Sequence, residues 1–74
     1  MNKIIVIITK GDDYNHTFKW NSVEEFNESL KNNKGIPKVN DIVIEAYIDD
    51  NLIDLGNTFG VTLRKMQMIL GIGI

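Results

Sequence analysis

The sequence predicts an α+β fold of order ββαββα: a four-stranded, mostly antiparallel sheet in the spatial order 2-1-3-4, with one helix across it and a short C-terminal helix. Three observations predict it. Ile4-Ile5-Val6-Ile7-Ile8 is apolar and β-branched at every position, which suits a strand in the middle of a sheet with both faces covered. Ser22-Val23-Glu24-Glu25 has the spacing of a capping box, in which Ser22 accepts from the Glu25 amide and the Glu25 side chain reaches back. Residues 41–48 form a second β-rich run, followed by the turn residues Asp49-Asp50-Asn51.

The elements follow in order. Gly11-Asp12-Asp13 is turn chemistry, and after it His16, Phe18 and Trp20 alternate with Thr17 and Lys19, so residues 3–20 read as a β-hairpin. Val23, Phe26 and Leu30 form one apolar stripe of a helix over about 23–33, which Gly35 and Pro37 bring to an end. In the strand at 41–48, alternation places Ile42, Ile44, Ala46 and Ile48 on one face and Val43, Glu45 and Tyr47 on the other. Leu52-Ile53-Asp54-Leu55 reads as the returning strand of a second hairpin. A second helix is expected at about 63–70, with Thr62 as its cap, Leu63, Met66 and Leu70 on one face, and Gly71 closing it. The first helix is long enough to cross the sheet, which lets the third strand pair beside the first. It covers one sheet face. The C-terminal helix or a second subunit is expected to cover the other.

With 74 residues the chain has room for one domain. A chain of this length buries only about 60–65% of the surface its unfolded form exposes, so its stability is marginal unless a partner adds to the core. Apolar residues at 43% and charged residues at 24% match a folded globular domain rather than a disordered one. The absence of cysteine excludes disulfides and thiolate metal sites. The N-terminal apolar run is too short for a signal-peptide core or a membrane span, and a cytoplasmic location without membrane association is expected. A net charge of −2 gives no basic surplus for binding phosphates.

No catalytic site, metal site or cofactor is expected. His16 is the single histidine and reads as a strand residue packing beside aromatics, with no nucleophile near it in sequence. Asp12-Asp13 and Asp49-Asp50 read as turn residues without EF-hand spacing. No Gly-rich phosphate loop, nucleophile elbow or zincin motif occurs.

Two features point to surfaces instead. Met66, Met68, Ile69, Leu70, Ile72 and Ile74 crowd the C-terminus with apolar side chains, which either complete the core or bind a partner. The leading expectation is thus a non-enzymatic, homodimeric module that acts by binding another protein. Small phage or mobile-element inhibitors of a host nucleic-acid machine have this general character. The second feature is the segment 54–70, with Gly56 at a helix contact, Gly60 in a turn, Val61 after it, and Met66 and Ile69 as apolar positions. It resembles the helix-turn-helix of DNA-binding regulators. That resemblance implies a DNA-binding regulator in which Thr62, Arg64, Lys65 and Gln67 face the major groove or the phosphate backbone. Strand structure at residues 52–56 would remove the first helix of such a unit.

Overall fold

The structure, a computed structural model, describes residues 3–71. Its elements are β1 (Ile5–Thr9), β2 (His16–Trp20), α1 (Val23–Asn32), β3 (Ile42–Ile48), β4 (Asn51–Thr58) and α2 (Phe59–Leu70). The strands make one antiparallel sheet in the order β2-β1-β3-β4. The predicted order of elements and of strands is therefore present, with β1 inside.

Local chemistry sets the element ends. Gly11 lies in the β1–β2 turn, where a Cβ would collide with the Tyr14 carbonyl oxygen and come within 2.8 Å of His16 Nε2. Half of the capping box at α1 is formed as predicted, with Glu25 N donating to Ser22 Oγ at 3.1 Å, while the Glu25 carboxylate reaches one residue past Ser22 and accepts from Asn21 N at 3.1 Å. The helix ends at Asn33, left-handed at φ 53°, whose amide donates to Leu30 O. Asp49 and Asp50 both take positive φ, 50° and 66°, the geometry of a two-residue type I′ hairpin turn. Asp49 also ties that turn to β1. Its amide donates to Ile4 O, and its carboxylate accepts from Ile4 N at 2.9 Å.

Two irregularities correct the predicted strand faces. In the β1–β3 ladder, Ile8 pairs with Glu45 but Thr9 pairs with Val43, so Ile44 is an extra residue. Such a bulge resets the alternation. Val43 therefore joins Ala46 and Ile48 on the buried face, while Ile42 is 43% exposed. In the β3–β4 ladder, Ala46 pairs with Asp54 and Tyr47 with Leu52, so Ile53 is extra. This second bulge turns Asp54 inward.

α2 begins a turn earlier than expected. Thr58, not Thr62, is the capping position, and its side chain makes no cap hydrogen bond. Backbone carbonyls of the loop before β3 take over that role: Phe59 N donates to Asp41 O at 2.8 Å and Gly60 N to Val39 O at 3.0 Å. Orphan amides of a first turn need partners, and any acceptor serves.

The core forms on one side of the sheet. Ile5, Ile7, Trp20, Val43, Ala46 and Ile48 meet Phe26 of α1 and both Phe59 and Met66 of α2 in a single cluster. Trp20 and Phe26 pack edge to face at 4.8 Å, and Trp20 Nε1 donates to Ser29 Oγ at 3.0 Å. Both helices thus lie on the same face. The expectation that β1 is covered on both sides is corrected: Ile5, Ile7 and Thr9 are buried, while Val6 and Ile8 are half-buried and Ile4 is exposed.

The I′ turn yields a prediction. Its second residue, Asp50, occupies a left-handed conformation that costs an L-residue about 1–2 kcal/mol and glycine little. Asp50→Gly is expected to raise stability by about 0.5–1 kcal/mol, seen as a rise in Tm of roughly 3–6 °C by thermal circular dichroism.

Candidate interaction surface

The uncovered face of the sheet is built by strand alternation. β1 contributes Val6 and Ile8, and Ile4 just before it is exposed. The ladders set Lys19 and Tyr47 beside Val6, and Thr17 and Glu45 beside Ile8. β4 continues the same rows with Leu52 beside Tyr47 and Leu55 beside Glu45. Leu52 is 51% exposed and Leu55 61%. The aliphatic side chains of β1 and β4 thus flank Tyr47 and Glu45 of β3 on this face, with Lys19 of β2 at its other side. Burial and the neighbouring Glu45 carboxylate both push the Tyr47 phenol up.

On the covered side, Asp54 is the one buried carboxylate among the described residues. Thr62 Oγ1 donates to its Oδ2 at 2.8 Å. Its Oδ1 accepts from Asn57 Nδ2 at 2.6 Å, Leu55 N at 2.9 Å and Lys65 Nζ at 3.1 Å. Burial pushes this carboxyl up, but the hydrogen bonds from Thr62, Lys65, Asn57 and the Leu55 amide together outweigh it and hold the group below its ordinary value. Thr62 is fully buried. The arrangement is a clamp that fastens α2 to β4.

The structure separates the residues singled out at the C-terminus. Met66 is fully buried and Leu70 packs against the core, so these two complete the monomer. Met68 and Ile69 stand exposed on the outer side of α2. Ile72 and Ile74 lie outside the described residues.

Residues 51–58 are strand, so the segment directly before α2, where a helix-turn-helix has its first helix, is not helical. Of the four residues assigned to a DNA groove, Thr62 points into the core and Lys65 pairs with Asp54. Arg64 is exposed and Gln67 is half-buried. His16 is exposed at the start of β2, its ring 5.2 Å from that of Tyr14. Among the described residues, no three His, Asp or Glu side chains converge as metal ligands, and no helix is long and apolar enough to cross a membrane.

The Asp54 clamp escaped sequence reasoning, whereas the second sheet face was expected to need cover from the C-terminal helix or a second subunit. The clamp has a faint signal: one acid inside the apolar Leu52–Leu55 run, and Thr62 and Lys65 three apart on a helix. The face has a plain one, the apolar run of residues 4–8, but the side on which α2 packs is not marked in the sequence. No family model, no curated protein and no solved structure matches this chain.

The clamp makes a stability prediction. Asp54→Ala leaves the Thr62 hydroxyl buried without its acceptor and is expected to cost about 2–3 kcal/mol in urea unfolding. The folded pKa is depressed, so the carboxylate's contribution is full above the ordinary value near 3.9 and is lost as pH falls through the lower folded value. The stability gap between the wild type and Asp54→Ala should therefore hold from neutral pH down to about 4 and shrink below it.

Proposed function

We propose that this chain is a non-enzymatic interaction module that binds another polypeptide through the open face of its sheet. The single observation that carries the reading is the placement of both helices on one side, which leaves Ile4, Val6, Ile8, Leu52 and Leu55 facing solvent together. Contiguous apolar surface of this kind marks binding sites in monomeric domains. The reading moves the contact surface from the C-terminal residues to the sheet, because Met66 and Leu70 are spent on the core.

A DNA-binding role has less support. Thr62 and Lys65 are engaged by Asp54, which leaves Arg64 as the free cation of the segment.

The test uses the full chain immobilised beside a Leu52→Glu/Leu55→Glu variant of matched circular dichroism. Both positions are more than half exposed, so the fold should survive. A protein retained from the native lysate by the wild type and lost from the variant is the expected outcome. A chain that is monomeric by light scattering at every workable concentration, and that retains nothing the variant loses, would refute the reading.

A further inference from the structure

We infer that the open sheet face takes a second copy of this chain, in a two-fold dimer whose axis crosses β1 between Val6 and Ile8 and whose Lys19 and Glu45 pair reciprocally across it. This inference rests on the interaction-module reading and names its partner.

The argument begins with where the two charges stand. Lys19 lies beside Val6 on the β2 side, and Glu45 lies beside Ile8 on the β3 side. Relative to the centre of β1 they are diagonal opposites. Two strand spacings and a two-residue offset put their Cα atoms roughly 12 Å apart within one copy. The ion pairs among the described residues are Lys3–Asp49 and Lys65–Asp54, so Lys19 and Glu45 both enter an interface without an ion-pair partner. A two-fold axis lying in the plane between two facing sheets maps each side of β1 onto the other. Set through the midpoint between Lys19 and Glu45, and inclined to the strands, it lays each Lys19 over Glu45 of the second copy. That midpoint falls on β1 between Val6 and Ile8. The same operation stacks the apolar centre on itself, as an isologous interface requires.

The face therefore carries equal and opposite charge in a self-complementary pattern. Area sets the expected strength. Four strands about 4.8 Å apart and about five residues long span roughly 320 Å² per copy, or about 650 Å² in total. That lies below the usual range of specific stable interfaces, so the dimer is a weak one that dissociates on dilution.

Sedimentation velocity over a wide concentration range gives the test. The wild type is expected to show a monomer–dimer equilibrium that weakens with added salt. Lys19→Glu and Glu45→Lys should each weaken dimerisation about tenfold or more, and the charge-swapped double variant should return it to within about threefold of wild type. A second measurement does not depend on charge. The chain contains no cysteine, so a short bis-maleimide should join two copies through Val6→Cys and not through Met68→Cys on the outer side of α2. A wild type that stays monomeric, a dimer indifferent to both charge reversals, or cross-linking favouring Met68→Cys would each overturn the inference. A monomeric wild type that still retains a protein lost from the Leu52/Leu55 variant overturns this inference alone and leaves the interaction reading standing. Loss of both overturns the two together.

Discussion

The clamp on Asp54 is the interaction on which the rest of the arrangement depends. β4 is an edge strand and α2 follows it without a loop, so the ties made close to that junction set which side of the sheet the helix takes. The bulge at Ile53 turns the carboxylate inward, and Thr62 and Lys65 answer from one face of α2. With the helix held on that side, Phe59 and Met66 meet the same apolar surface as Phe26 of α1. The core becomes one cluster, and the opposite sheet face is left open. A buried charge is costly unless its lone pairs are satisfied. Here four donors satisfy it, so a carboxylate can serve as a fastening rather than a defect.

Much of the architecture was legible. The capping box, the alternation of His16, Phe18 and Trp20, and the left-handed stop at Gly71 all appear where the residues indicate. Strand order follows from one fact, that a helix of ten residues can cross the sheet and return the chain beside β1. What was not legible has a common physical cause. Each bulge inserts one residue, and a period-two pattern carries no mark of an insertion. Val43 consequently leaves the face that alternation assigns it, and Asp54 turns inward. The start of α2 was hidden for a related reason: its first amides are satisfied by the carbonyls of Val39 and Asp41, distant backbone atoms that no local capping pattern announces.

The candidate surface was misplaced for a further reason. A continuous apolar run suggests cover on both faces, and β1 was read so. The run is real but its two faces differ. Ile5 and Ile7 sit under the helices, while Ile4, Val6 and Ile8 meet solvent beside Thr17, Lys19 and Glu45. Two polar neighbours on β2 and a carboxylate on β3 are enough to keep such a face wettable in a monomer while leaving it apolar at its centre. The methionines of α2 divide in the same manner. Met66 fills the core and Met68 does not, as two positions that lie on opposite sides of a helix must.

The central place of β1 also shapes how the chain is made. β1 leaves the ribosome before β3, so its β3 edge stays unpaired until residues 42–48 have followed. During that interval β2 and α1 can shelter one edge and part of one face, while five consecutive β-branched side chains remain available to any other extended strand. Segments of that composition are the ones that template intermolecular pairing. The non-local β1–β3 ladder thus places the greatest aggregation hazard of this protein in its nascent chain rather than in its native state.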